Sequence, residues 1–385
     1  MFRASVAAAF VLLTLCQPSV PCEVHLQPGD AASATVFCVD MDGCCNFTTV
    51  QAAVDAAPEN SLKRSVTVKA NKTITFQGQG MNTTMIVWND TKKSAKTTSG
   101  SASVYIYADG FVAKNISFKN SAPAAKPGAV DAQAVALGIE GDKAAFWGCG
   151  FYSGQDTLLD KSKRHYFKDC FIEGSIDFIF GDGRSLYENC ILNSIAEEGH
   201  GSITGAITAQ SRKSAEENTG FAFVGCSIQG TGSILLGRAW QPYSRVVFTN
   251  TEMQAIVAAQ GWGNWGDNTR NSKVAVFYGE FNCFGDGANM AGRVAYARKL
   301  DELQARPFLN SSYINGGEWL KPFDNALTWL HTDYQSTAAM EPLGIVLIIS
   351  AEALKGEEQR AQVAGNSISS SGAGSDQAFK VDGFD

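Results

Sequence analysis

The sequence predicts an all-β fold, a single chain wound into stacked solenoid coils, and three observations carry that prediction. Four segments share one shape: FWGCGFYSG (146 to 154), FKDCFIEG (167 to 174), YENCILN (187 to 193) and FVGCSIQG (223 to 230). Each places an aromatic residue, two spacers, a cysteine, an apolar pair and a polar or glycine exit, and a repeat of roughly twenty residues is what stacked β-coils require. The 38 glycines set against 10 prolines indicate many tight turns. Helical periodicity is confined to one short stretch, FTTVQAAVDAAPEN (47 to 60).

Taken in order, the chain opens with MFRASVAAAFVLLTLCQPSVPC, where Arg3 precedes an apolar run from Ala7 to Cys16. Residues 1–21 therefore read as a signal peptide, and the apolar run is too short to span a bilayer. Residues 22–44 form an N-terminal extension. The helical stretch 47 to 60 is expected to cap the open end of the solenoid, as such ladders need. SVYIYADGFVAKNISFKNSA (103 to 122) gives two short alternating strands around an Asp-Gly turn, and AQAVALGI (132 to 139) gives the next apolar run. The four cysteine segments follow. The segment 196 to 220 reads as a loop that leaves the coil and returns, and the strand pattern then continues to about residue 283. One coiled domain is expected over 45–320, and 321–385 reads as a loosely ordered tail ending in a Ser/Gly-rich stretch.

The charge pattern excludes some functions. A chain of 385 residues with 18% charged residues and a net charge of −7 lacks the basic field of a nucleic-acid binder. The four histidines (His25, His165, His200 and His331) are scattered and no Cys-x-x-Cys occurs, so no metal site is expected. Six Asn-x-Ser/Thr triplets, at Asn46, Asn71, Asn82, Asn89, Asn115 and Asn310, fit an exported glycoprotein. No other apolar run approaches membrane-spanning length.

Spacing points to the chemistry. Cys149 and Cys170 lie 21 residues apart, and so do Asp156 and Asp177. In a parallel coil, residues one turn apart sit above one another at about 4.8 Å. The cysteines then stack in the core while the two acids stack at the surface, with Gln133 and Gln155 beside them. Two carboxylates that close cannot both ionise freely, so one is expected to stay protonated. The ionised acid can attack while its neighbour donates a proton. Glutamine N–H groups suit a developing oxyanion, and Arg238 in LGRAW can hold a carboxylate ionised and aimed.

At these residues the chain resembles the plant-type pectin methylesterases (pectinesterases). The matching strings are FTTVQAAVDAAPEN, TITFQGQG, ADGFVAKNISFKNSAP, QAVAL, GCGFYSGQDTL, DFIFG, ITAQSR, LGRAW, YSR, GW and EWL, from about 45 to 320. The resemblance implies a secreted enzyme with a right-handed parallel β-helix that acts in the cell wall on the C6 methyl esters of homogalacturonan, without a cofactor. It implies Asp177 as nucleophile, Asp156 as acid and then base, Gln133 and Gln155 as oxyanion donors, and Arg238 as the group orienting Asp177. Phe180, Trp240 and Trp262 fall where the family lines its groove. It implies a monomer without the inhibitor-like prodomain of many relatives, and leaves room for a proteinaceous pectinesterase inhibitor as a partner. Neither nucleic acid nor a membrane is expected as a partner.

The chain departs from that pattern in places. A Gly-x-Tyr-x-Glu strand that usually precedes ITF is absent, since Ala70 runs directly into Asn71. Leu159 replaces a frequent aromatic, and Ala239 a frequent proline. The shortened early segment leaves a catalytically impaired pectin-binding homologue as the alternative. A lyase would want an acid cluster for calcium with a basic proton acceptor, and a polygalacturonase several acids spaced for inverting attack. No Gly-x-Ser-x-Gly elbow appears.

Overall fold

A computed structural model describes residues 35–39, 47–56, 66–68, 74–78, 80–124, 129–198, 201–264, 275–320 and 345–349. The signal peptide, most of the N-terminal extension and nearly all of 321–385 lie outside the described residues, as do Asn46 and Asn71. Among the described residues three parallel sheets run along one axis, here called I, II and III, with eleven, seven and eight strands. The chain visits them in a fixed order. Ala144–Trp147 lies on sheet I, Gly150–Tyr152 on II and Leu158–Asp160 on III, and Arg164–Lys168 returns to sheet I one rung on. This is the right-handed parallel β-helix that the repeat and the resemblance imply.

Each repeat unit has a physical role. Its aromatic residue points inward and builds a column in which Phe146, Phe167, Tyr187, Phe223 and Phe248 stack with centroid spacings of 4.8, 4.5, 4.6 and 4.4 Å. These spacings match the rise between neighbouring strands, about 4.8 Å. One spacer makes the corner between sheets I and II. Asn115, Gly148, Asp169, Asn189, Gly225, Asn250 and Asn282 all have φ between 49° and 62° there. Asn, Asp and Gly are the residues that tolerate this left-handed geometry. The next residue points inward; it is Ile116 in the first of these coils and small in those that follow, where the stack runs Cys149, Cys170, Cys190, Cys226, Thr251 and Cys283. All five cysteines in it are free thiols. Most of them bond a carbonyl of the preceding coil, as Cys190 does to Phe167 and Cys226 to Tyr187.

The structure differs from the sequence expectations in three places. The long interval after Cys190 is not one excursion, because its small alternating run forms the sheet III strand Gly205–Gln210 and divides the loop in two. The helix spans Val50–Ala56 and buries Val50 and Ala53 against the core, while 57–65 lies outside the described residues. Within the stretch read as a tail, Ile345–Ile349 is a strand of sheet I, set between Thr35–Val39 and Ile74–Gln77. That position is directly beside Ile74–Gln77, the first described strand after the shortened segment near Ala70. A run of Ile, Val and Leu suits a strand paired on both sides.

A buried polar unit braces the middle coils. His165 Nδ1 meets Asp160 Oδ1 at 2.6 Å, His165 Nε2 meets the Gly141 carbonyl at 3.0 Å, and the Tyr187 hydroxyl donates to Asp160 Oδ2 at 2.5 Å. Every polar atom of the unit is thereby matched, and His165 is a packing residue.

Candidate active site

The corner that leads into sheet III holds both acids. Gln155 pairs with Ile176 in parallel register and Leu158 with Ile179, so Asp156 and Asp177 occupy equivalent positions on adjacent rungs. The Asp156 N–H donates to the Ile176 carbonyl at 3.0 Å. Both acids are left-handed, with φ of 58° and 49°, and the ladder shifts register between Ile176 and Ile179. Gln133 arrives from the preceding coil, where the Ala134 N–H donates to the Gln155 carbonyl at 3.1 Å. The four side chains expected to act together are all nearly enclosed, with 4 to 7% of each residue exposed.

Arg238 comes from the end of the strand Ile234–Arg238, two rungs beyond Asp177. Its Nε donates to Asp177 Oδ1 at 2.8 Å and its NH2 to Oδ2 at 2.5 Å. This fork fixes the carboxylate plane and supplies its counter-charge. Asp156 has no such cationic clamp among the described residues. Burial first, and then the Asp177 carboxylate, push its pKa well above the usual carboxylate range, against the opposing pull of Arg238, a hydrogen bond from Gln155 and Lys92. One acid is paired with a cation and the other is pushed toward its protonated form, the division that acid–base chemistry needs. The Oε1 of Gln133 is buried and accepts no hydrogen bond among the described residues.

Lys92 was missed by the sequence reading. Its N–H donates to the Gln133 carbonyl at 2.7 Å, its Nζ pairs with Asp131 Oδ1 at 3.1 Å, and its charge reaches Asp156. It lies on the short helix Lys92–Ala95, about forty residues before Gln133 in the chain. No local pattern links the two.

Phe180 and Trp240 meet on the outward face of sheet III, with ring centroids 6.2 Å apart. They belong to an apolar row that also includes Tyr105, Val135, Leu159 and Ala209. Trp262 does not join them. Its register opposite Gly237 faces it inward, one residue out of phase with Arg238, and it is fully buried. It stacks on Tyr278 at 4.2 Å and donates Nε1–H to Glu280 at 3.0 Å. The expected groove tryptophan is a core residue.

The Pectinesterase family description matches residues 36–317. The chain is 50% identical over 313 residues to "Probable pectinesterase 8" of Arabidopsis thaliana, covering 77% of this chain and 79% of that protein. Its fold is similar to that of the pectin methylesterase from carrot, with a TM-score of 0.63, 32% identity and coverage of 75% of this chain and 97% of the other. It is also similar to a pectin methylesterase solved in complex with a hexasaccharide, with a TM-score of 0.60, 25% identity and coverage of 76% and 100%.

Proposed function

The chain belongs to the pectinesterase family and is a carboxylic ester hydrolase, and from that premise we propose that it removes methyl groups from the C6 esters of homogalacturonan in the cell wall. The single observation that carries this reading is the asymmetry between adjacent acids, Asp177 clamped by the Arg238 fork and Asp156 buried beside it without that clamp, its pKa raised by burial and by its neighbour.

In this reading Asp177 attacks the ester carbonyl and forms an acyl-enzyme. The N–H groups of Gln133 and Gln155 stabilise the oxyanion of the tetrahedral intermediate. Asp156 gives its proton to the departing methanol and, now charged, takes one from the water that hydrolyses the acyl-enzyme. Arg238 keeps the attacking carboxylate aimed throughout. Phe180 and Trp240 offer apolar faces to the sugar beside the reacting ester. The same reading places the protein outside the cell, acting as a monomer on a secreted polysaccharide.

The deciding experiment is methanol release from highly methylated pectin by the purified protein. Asp177→Asn should abolish release with the circular dichroism spectrum intact, because Asn also accepts a left-handed backbone. A fully active Asp177→Asn protein would refute the mechanism, and unsaturated, ultraviolet-absorbing products would reveal a lyase instead.

A further inference from the structure

The apolar row on sheet III runs past the catalytic corner toward the N-terminal end of the helix. There Tyr105 and Tyr107 stack with centroids 4.5 Å apart and planes inclined by 26°. Tyr105 is only 5% exposed and shares the row with Leu159 and Phe180. Its ring lies across Gly138, where an added Cβ would fall 2.5 Å from the ring, so the glycine is what lets the ring lie flat on the sheet. Its hydroxyl donates to Glu140 Oε2 at 3.2 Å. Tyr107, in contrast, is 43% exposed. One ring is thus locked into the sheet and braces a second ring that is partly exposed.

We propose that this stacked pair is a sugar platform, and that it holds a non-reacting, methyl-esterified galacturonosyl ring of the chain whose ester is cleaved at Asp156 and Asp177. The inference rests on the pectinesterase reading above, and continuity with the catalytic groove identifies the occupant. The strand Val104–Ile106 is two rungs from the rung of Asp156 and three from that of Asp177, about 10 and 14 Å along the axis. A polysaccharide bound at the acids and following the apolar row reaches the platform after a few sugar units. The flat, rigid Tyr107 ring matches the apolar face of a pyranose and loses little conformational freedom on binding.

The surrounding charges select the ester over the free acid. Glu140 accepts from the Tyr105 hydroxyl and its charge reaches Tyr107, and Asp109 follows two residues after Tyr107. Among the described residues, the cations paired with these carboxylates are Lys161, with Glu140 at 3.4 Å, and Lys163, with Asp109 at 3.3 Å. A free uronate placed on Tyr107 would meet carboxylates with no unclaimed cation among these groups, whereas a methyl ester brings no charge.

The test measures binding in an Asp177→Asn background, where substrate is not consumed, using highly methylated pectin and fully de-esterified pectate as probes. Tyr107→Ala should weaken binding of the methylated polymer about three- to tenfold and leave pectate unchanged, while Tyr107→Phe retains wild-type binding. In the active protein, Tyr107→Ala should raise KM on long methylated pectin by the same factor, leaving kcat, and KM on methylated trimers too short to span the gap, unaltered. Unchanged binding of methylated pectin, or an equal loss on pectate, overturns the platform. Failure of the wild-type protein to release methanol would sink the esterase reading separately, and the binding arm decides the platform whichever way that assay falls.

Discussion

Asp156 is held in a state that costs the fold something at neutral pH. Its folded pKa is raised by burial and by Asp177, so over the window from the ordinary carboxylate value, about 4, up to that raised value the native state binds more protons than the unfolded chain. Stability attached to this group is complete below the window and is lost as pH rises through it. Asp156→Asn removes the titration and keeps a side chain that accepts φ near 58°. The variant should therefore be inactive yet more stable than wild type at pH 7, with the difference shrinking to nothing near pH 3. Urea denaturation across that range checks it, and a pH-independent difference would show that Asp156 is not protonated in the fold. The acids could be read from sequence because coil stacking turns a 21-residue interval into adjacency. Lys92 could not, since its bond to Gln133 joins separate coils. Trp262 misled because strand alternation decides its face, and the motif GW does not reveal the register opposite Gly237.

At the scale of the coil, stability is distributed over columns rather than over single contacts. Phe167 stacks on Phe146 and on Tyr187 and is fully enclosed, so removing it breaks the column in two directions. Phe167→Ala should cost about 3–5 kcal/mol, measured by urea titration, the range for deleting a buried aromatic ring. A loss below 1 kcal/mol would mean that the column is not what holds the rungs together. The cysteine stack makes a second prediction. Burial pushes the thiols of Cys170, Cys190 and Cys226 well above their usual range, and that of Cys283 up to about 11. Native protein at pH 7 should leave these thiols unlabelled by a thiol reagent that modifies them after unfolding. The repeat that builds these columns was legible because stacking forces the same residue type to recur at the same place in each coil. Gly205–Gln210 was not, because its small residues lie in a loop-like context and only the neighbouring strands reveal the pairing.

Over the whole molecule, a helix of stacked coils has a weakness at each open end, where unpaired backbone groups invite fraying. At the far end the buried Glu280–Arg293 pair ties the last coils together, with Nε to Oε1 at 2.9 Å and further bonds from Arg293 to the carbonyls of Ala258, Ala259 and Gly287. At the near end the chain uses a segment remote in sequence. Leu347 is opposite Phe37 on one side and Phe76 on the other, so Ile345–Ile349 joins Thr35–Val39 to the rest of sheet I. Such a contact leaves no local trace in the sequence, since its apolar run could equally serve a helix or an isolated strand. Leu347→Pro removes a ladder donor in a strand paired on both sides and should destabilise that end by at least the 1–3 kcal/mol of an unmatched buried backbone group. Amide hydrogen exchange at Thr35–Val39 and Ile74–Gln77 should then speed up while that of Leu158–Gly181 stays slow. Methanol release at low temperature should survive, because the acids lie several rungs away. Unchanged exchange at Thr35–Val39 would mean that the remote strand does not hold the first rung in place, and loss of activity with the catalytic coils still protected would mean that the near end reaches the site by a route other than stability.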